Sequence, residues 1–280
     1  MSEENKVRDA ADAVKGIVEA VPVYQDMMQP AAREVGLALQ TVAKAIHIVV
    51  APIGALVWGY EQVKEFLSTR VAEKLKDVPT ERIVTPEPHV FCPALEALRY
   101  TGHQEVLREL FANLLATSLD SATAQHAHPA FVELIKSMSP DEARIMTSLN
   151  PNTDIPVVEL RAYEKDTSIY VVAVRRLSII QHEAGCQSPE LAAIYLDNLE
   201  RLGLIESLGG DVLGAPAIAE EGAYDELEAS PMVASVRKDV EKAGKTLELN
   251  RSFLRLTDLG TQFYKACVNR KVAVSGSVPH

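Results

Sequence analysis

The residue types that bind metals or transfer protons occur as two closely spaced pairs. His182 and Cys186 are four positions apart in the run H-E-A-G-C, a spacing that puts two zinc ligands on one helix face. The two side chains can reach the same metal ion only if the helical turn between them is unbroken. Gly185, which lies between them, is predicted to end the helix. His126 and His128 flank one alanine, and we expect His128 to cap the helix that follows. The sequence therefore predicts no metal site, no bound cofactor and no catalytic residue.

A second motif, Gly244-Lys245-Thr246, matches the end of a phosphate-binding loop. That loop also needs a glycine five positions before the one that precedes the lysine, and Asp239 stands there instead. The sequence also contains no nucleophile elbow and no glycine-rich cofactor loop. These patterns favour a protein that is not an enzyme.

Three basic residues are the candidates for nucleic-acid contact: Arg175, Arg176 and Arg201. The last of them lies in residues 189–202, which are predicted to form the recognition helix of a winged helix-turn-helix. That helix carries three acidic residues against one arginine, whereas recognition helices place Arg, Lys, Asn or Gln at base edges. The net charge of −11 also repels phosphate backbones. We expect this helix to contact protein, and a DNA-binding regulator is the alternative.

An apolar stretch from Val35 to Tyr60 contains one fixed charge, Lys44. A helix that is apolar all round lies either in a core or in a membrane. The charge-free run over residues 45–60 is shorter than the roughly 20 residues that a single span needs, and Pro52 interrupts it. We expect two short helices buried as a core pair, with conditional membrane contact as the alternative. The candidate residues of this segment are Val50, Leu56, Trp58 and Tyr60.

The elements around these residues predict a mainly α protein with two domains. Residues 1–138 show helical periodicity and are predicted to form a helical domain that contains the apolar helix pair. Residues 139–270 are predicted to form an α/β winged-helix-like domain, with an acidic insertion at residues 211–250. Residues 271–280 are predicted to be a flexible tail.

Local signals predict several element boundaries. Ser139-Pro140-Asp141-Glu142 is typical of a helix start with a capping box, and Thr101 with Gln104 resembles a second capping box. The β-branched runs on either side of YEKDT predict a hairpin. Residues 79–93 contain four prolines and are predicted to form an extended connector.

The composition and the first residues indicate the setting of the protein. A hydrophobic fraction of 47% in 280 residues favours a folded core. The first residues, MSEENKVRDAAD, are polar and predict no secretory signal. Cys92, Cys186 and Cys267 are far apart in the chain and predict no disulfide framework. We therefore expect a cytoplasmic protein.

Six segments follow one another along the chain: PVYQDMMQPAAREVG, APIGALVWGYEQVKEFL, LRELFANLLATSLD, HPAFVELIKSMSPDEARIM, YLDNLERLGLIE and LRLTDLGTQFYKAC. Taken in this order, they resemble blocks of the abortive infection alpha (Abi-alpha) family. The resemblance covers residues 22–267. It implies a bacterial protein of defence against phage, and it carries no catalytic residue over to this chain.

From this resemblance we expect a non-enzymatic effector or sensor that stops the growth of infected cells. The expected partners are another protein or a second copy, with a phage component among the candidates. Membrane contact is expected only on activation, and nucleic acid is not an expected partner.

Overall fold

The computed structural model describes residues 59–209, 222 and 224–269. They divide into two compact units. The first unit contains residues 59–137 and 265–269, and the second contains the described residues of 138–264. Helices predominate, and the second unit adds a four-stranded antiparallel sheet, so the fold class is mixed α/β.

The apolar helix pair predicted near the start of the chain lies largely outside the described residues. Val50, Leu56 and Trp58 belong to this part of the sequence. Tyr60 is the first residue of the first described helix. The choice between core and membrane for this segment therefore stays a prediction.

The described part of the first unit is mainly helical, with one isolated β-bridge between Ile83 and Asp120. Its helices are α1 (Tyr60–Phe66), α2 (Ala72–Leu75), α3 (Pro88–Thr101), α4 (Glu105–Ser118) and α5 (Ala130–Lys136). A π-helical turn, Leu67–Val71, joins α1 to α2. Phe91 and Leu95 of α3, Phe111 and Leu114 of α4, and Phe131 of α5 are buried in its core.

The prediction of an extended connector over residues 79–93 is wrong for its second half, because α3 begins at Pro88. Proline suits the first helical position, where its missing N–H would have no partner in any case. Pro93 lies inside the helix and removes one backbone bond. Burial of Val90 and Phe91 on the same helix compensates for that loss.

The capping box predicted at Thr101 and Gln104 is also wrong. Thr101 is the last residue of α3, and its hydroxyl donates to the carbonyl of Ala97 at 2.9 Å. Helix α4 begins at Glu105, and no side chain caps it at Gln104. A threonine hydroxyl can bond to the carbonyl one turn back as readily as it can cap, and here the first option is realised.

Helix α4 holds the last described turn of the chain, Tyr264–Val268, through two side chains. The Asn113 amide donates to the carbonyls of Cys267 at 2.8 Å and Val268 at 3.2 Å. The Thr117 hydroxyl donates to the carbonyl of Ala266 at 2.9 Å. Carbonyls at a helix end have no partner within the helix, so these donors stabilise the turn.

The thiol of Cys267 reports on this docked turn. It is fully buried, and burial raises its pKa well above the ordinary value. In a chain with Cys92→Ser and Cys186→Ser, we expect alkylation of native Cys267 to be slow. Replacing Asn113 by Ala and Thr117 by Val should speed it about tenfold or more, since each lost bond is worth about 1 kcal/mol. Mass spectrometry of timed alkylation measures the rate.

Thr147→Val is the matched control for this prediction, because the exposed Thr147 hydroxyl bonds only within its own helix, to the carbonyl of Arg144. It should leave Cys267 protected. Equal alkylation rates in the Asn113/Thr117 variant and in the parent would mean that these side chains do not hold the turn.

The second unit contains both helices and strands. Its helices are α6 (Pro140–Ser148), α7 (Ile180–Glu183), α8 (Ala192–Arg201), α9 (Asp225–Glu228), α10 (Pro231–Lys242) and α11 (Asp258–Phe263). Its strands are β1 (Ile155–Tyr163), β2 (Tyr170–Leu177), β3 (Ile205–Gly209) and β4 (Thr246–Leu256). The strands pair antiparallel in the order β2-β1-β4-β3.

Two local predictions are confirmed in this unit. Strands β1 and β2 form the predicted hairpin. At the start of α6, the Ser139 hydroxyl accepts from the Glu142 amide at 3.3 Å, and the Glu142 carboxylate accepts from the Ser139 amide at 2.6 Å. The elements follow one another in the predicted order, and the winged-helix arrangement itself stays a prediction.

One hydrophobic cluster of the second unit lies between a face of the sheet and the helices α9 and α10. Val158 and Leu160 of β1 belong to a buried cluster with Leu227 of α9 and with Val233 and Val240 of α10. Helix α10 and the first half of β4 therefore come from the region predicted as an acidic insertion. Val233 and Val240 of α10 pack in this cluster, while the charged residues of the helix are exposed.

The start of α11 packs directly on the backbone that leads into β3. The Thr257 hydroxyl accepts from the Gly260 amide at 2.9 Å and donates to the Gly203 carbonyl at 2.5 Å. The Thr257 amide donates to the Leu204 carbonyl at 3.1 Å. A Cβ atom on Gly260 would lie 1.9 Å from that Leu204 oxygen, so only glycine fits at this position.

Candidate functional site

The predicted recognition helix, α8, is positioned at its start by a buried carboxylate on α6. Asp141 is 6% exposed and accepts four hydrogen bonds. Its donors are the amides of Gln187 (2.9 Å) and Ser188 (3.0 Å), the Tyr195 hydroxyl (3.1 Å) and the Arg144 guanidinium (2.6 Å). Asp141 therefore fixes the loop that enters α8.

The surroundings of Asp141 keep it ionised. Burial alone would raise its pKa, but the amides of Gln187 and Ser188, the Tyr195 hydroxyl and Arg144 together lower it below the ordinary value. All four donors point at one carboxylate, which leaves it little capacity for a substrate or a metal ion. We assign Asp141 a structural role.

Cys186 adjoins this carboxylate, and its surroundings disfavour ionisation of its thiol. Burial, followed by the negative charge of Asp141, raises the pKa of its thiol. A thiol needs to ionise to bind metal or to attack a substrate, so these surroundings disfavour both. His182 is exposed on α7, and Gly185 reverses the chain with φ of +63°. In the described ranges, no three His, Cys, Asp or Glu residues lie close enough to hold a metal ion.

The other motif residues also take part in ordinary contacts. The His128 ring nitrogen Nδ1 accepts from the Ala130 amide at 3.1 Å, which confirms that it caps α5. Lys245 of the Gly-Lys-Thr motif pairs with Glu164 at 2.7 Å. Thr246 is the first residue of β4, so no helix follows this motif as a phosphate-binding loop requires.

Arg176 joins β2 to α8. Its Nε atom lies 2.7 Å from the Asp197 carboxylate, and its Nη2 atom donates to Glu200. Glu200 also accepts from the amide of Ser207 at 3.1 Å. Arg176 has a φ of +49°, which lies in the left-handed region of backbone conformation. The pairing of β1 with β2 is irregular at this point of the strand. Two carboxylates from the acidic helix therefore neutralise this arginine.

The remaining candidate arginines are less constrained. Arg201 donates from Nε and Nη2 to the Asn198 side-chain oxygen at 2.9 and 2.7 Å. Arg175 is exposed at the end of β2. Of the three predicted nucleic-acid contacts, the structure thus places Arg176 in an ion-pair cluster and leaves Arg175 and Arg201 at the surface.

The outward face of α8 is apolar at its beginning. Ile194 is 61% exposed, and Leu191, in the single 3-10 turn before the helix, is 40% exposed. Tyr195, Leu196 and Leu199 form the buried face of the helix. Exposed aliphatic side chains are suited to an apolar partner surface rather than to phosphate groups.

Comparisons with known proteins identify the relatives of the chain. A sequence profile described as abortive infection alpha matches residues 59–267. The chain belongs to the abortive infection alpha family. The matched range contains the Asp141 contacts, α8 and the docked turn at Cys267, so these features lie within the family region.

Other comparisons with this abortive infection alpha protein add little. No curated protein matches it. It is similar to the solved structure of the uncharacterized protein from the hydrocarbon-degrading marine bacterium Alcanivorax borkumensis SK2, at 20% identity and a TM-score of 0.35. The match covers 52% of this chain and 94% of that chain. None of the described helices is both long and apolar enough to cross a membrane.

Proposed function

We propose that this abortive infection alpha protein is a non-enzymatic bacterial phage-defence protein, which acts as an effector or a sensor and stops the growth of infected cells. The family match over residues 59–267 carries the proposal. The contacts of the candidate polar residues support it, because Asp141 and Arg176 stabilise the fold around α8. Because these residues are engaged within the fold, we infer that the protein acts by binding.

We further propose that the second unit is a winged-helix-like module whose α8 contacts protein. The exposed side chains of Leu191 and Ile194 provide an apolar patch at the beginning of the helix. Arg176 is neutralised by Asp197 and Glu200, which removes a positive charge that DNA would require. The partner that fits this face is a protein with an apolar surface, and a phage component is one such candidate.

Phage plating tests the proposal. Cells that express the protein should form fewer plaques than cells without it, on at least one phage of a broad panel. We expect Ile194→Glu to lower this protection about tenfold or more, because a charge at the centre of an apolar contact weakens binding strongly. Met232→Glu is the matched control, since Met232 is similarly exposed (52%) but lies on α10.

Three outcomes would contradict the proposal or part of it. Absence of both protection and toxicity across the panel would argue against a defence role. Full protection by Ile194→Glu would exclude α8 as the contact face. Tight, salt-sensitive DNA binding that is lost when Arg175, Arg176 and Arg201 are changed to Glu would replace this proposal with the DNA-binding regulator.

Conditional membrane contact by residues 45–60 remains a proposal from sequence alone. The apolar character of that run, with Trp58 near its end, supports it. The purified full chain should then permeabilise liposomes under activating conditions. Val50→Asp should abolish this effect without unfolding the resting protein, and a variant that only unfolds would indicate a permanent core instead.

A further inference from the structure

The exposed side of α8 combines aliphatic side chains with acidic ones. The 3-10 turn Pro189–Leu191 runs directly into α8, so residues three or four positions apart lie on one side of this continuous element. Ile194 is 61% exposed, and Leu191, three positions before it, is 40% exposed. Glu190 comes four positions before Ile194 and Asp197 three after it, and both are exposed. These four residues are called the α8 face below.

The chain around the α8 face is rich in negative charge. Residues 178–209, which form α7, α8 and β3, contain five acidic residues, one arginine and no lysine. Arg176 of β2 pairs with both Asp197 and Glu200, so this cluster of three charges keeps one net negative charge. Asp197 can still accept from a further donor, because a carboxylate has about four acceptor positions and this one is 54% exposed.

The nearby exposed arginines lie outside the α8 face. Arg201 is the last residue of α8, seven positions after Ile194, and the Asn198 side-chain oxygen binds its guanidinium. Arg175 belongs to β2. Within four positions of Ile194, the charged residues are Glu190 and Asp197. The charges that border the exposed aliphatic pair on α8 are therefore both negative.

Contacts below the α8 face fix its shape. Asp141 accepts from the amides of Gln187 and Ser188 in the loop before the 3-10 turn, and from the hydroxyl of Tyr195 on the buried side of α8. Tyr195 is the neighbour of Ile194 in the chain. A surface that is fixed in this way loses little conformational freedom on binding, which lowers the entropic cost of a complex.

We propose that the partner of the α8 face is a protein segment that carries aliphatic side chains flanked by lysine or arginine. This inference rests on the proposed function, in which α8 contacts protein, and it adds the charge of the partner. Aliphatic groups of the partner cover Leu191 and Ile194 and remove their apolar surface from water. Basic groups on either side pair with Glu190 and Asp197, whereas acidic groups at these places are repelled.

The aliphatic and acidic residues act on different steps of binding. Residues four positions apart on a helix have Cβ atoms about 6 Å apart, which is within the Debye length of about 8 Å at physiological ionic strength. Glu190 therefore attracts a basic segment towards Ile194. Charges at the edge of a contact mainly change the association rate and its salt dependence, whereas buried apolar groups mainly change the dissociation rate.

A defined peptide tests the chemistry of the partner. The probe is a fluorescein-labelled helical peptide of about 14 residues, or four turns, with leucine on one side and lysine on the other. A second peptide has glutamate in place of each lysine. We expect the full chain to bind the lysine peptide saturably, with a dissociation constant of about 1–100 µM, because the contact is smaller than a standard interface. The glutamate peptide should bind about tenfold more weakly or less. Fluorescence anisotropy measures both.

Variants assign this binding to the α8 face. Glu190→Lys should lower the association rate about fivefold or more and flatten its salt dependence, and Glu190→Gln should give a smaller change in the same direction. Ile194→Ala should raise the dissociation rate about fivefold or more and leave the salt dependence intact. Glu241→Lys is the matched control, since it reverses an exposed charge on α10 and should change neither rate. Stopped-flow fluorescence measures the rates, and circular dichroism should show every variant folded.

Two results with the peptides would overturn the proposal. One is the absence of saturable binding by the lysine peptide, or equal binding of both peptides. The other is an equal effect of Glu190→Lys and Glu241→Lys, which would mean that the peptide responds only to the net charge of −11.

Phage plating distinguishes this proposal from the proposed function. Loss of protection in both Ile194→Glu and Glu190→Lys, with full protection by Glu241→Lys, would support a basic partner on the α8 face. Loss in Ile194→Glu with full protection by Glu190→Lys would overturn the basic partner and leave the proposed contact of α8 with protein standing.

Discussion

Gly260→Ala is expected to lower the free energy of unfolding of the second unit by about 3 kcal/mol or more. The new Cβ would lie 1.9 Å from the Leu204 carbonyl oxygen and 2.8 Å from its carbon. These are backbone atoms, so α11 would have to move away from the chain that enters β3. That movement would break the bonds from Thr257 to Gly203 and Leu204. Urea denaturation followed by circular dichroism measures the change.

Gly209→Ala is the matched control. No atom lies within 4 Å of a Cβ at Gly209, and its φ is not in the left-handed region. This change should alter the free energy of unfolding by no more than about 1 kcal/mol, in the stabilising direction. If Gly260→Ala proved as stable as Gly209→Ala, the close approach of α11 to Leu204 would be wrong.

Asp141→Asn is expected to cost about 3 kcal/mol at neutral pH. The amide keeps the shape of the side chain, but it cannot accept from all four donors, and it leaves Arg144 without its charged partner. The loop at Gln187–Ser188 should loosen with it. Asp239→Asn, on the exposed face of α10, should change stability by less than about 0.5 kcal/mol.

The same carboxylate makes stability depend on pH. The pKa of Asp141 is lower in the folded protein than in the unfolded chain, where it is about 4. Its stabilising effect is therefore complete above that unfolded value and is lost as the pH falls through the lower folded value. Asp141→Asn should flatten the loss of stability in this acid range. An unchanged slope in urea denaturation between about pH 5 and pH 2 would assign the acid sensitivity to other groups.

The sequence predicts best those elements whose causes lie within a few residues. Two helix starts depend on neighbours no more than three positions away: the capping box of Ser139 with Glu142, and the cap that His128 provides. The hairpin of β1 and β2 follows from the composition of its two strands and of the turn between them. The helix at Pro88 was missed because its driving force, burial of Val90 and Phe91, comes from packing that a local pattern does not contain.

The residues around α8 show the same limit. Ser139-Pro140-Asp141-Glu142 indicated a helix start, but the role of Asp141 depends on partners 46 and 47 positions along the chain. Arg176 was predicted as a nucleic-acid contact, and its pairing with Glu200 spans 24 positions. The acidic character of α8 was visible from the sequence, whereas the arginine that those acids bind was not.

The turn at Cys267 has a consequence for the order of events during synthesis. The first unit is built from two separate stretches, and the whole second unit lies between them in the chain. A ribosome therefore completes the second unit before it makes the residues that Asn113 and Thr117 bind. The second unit can fold while the chain is still attached, and the first unit gains this helical turn only after the second unit has been made.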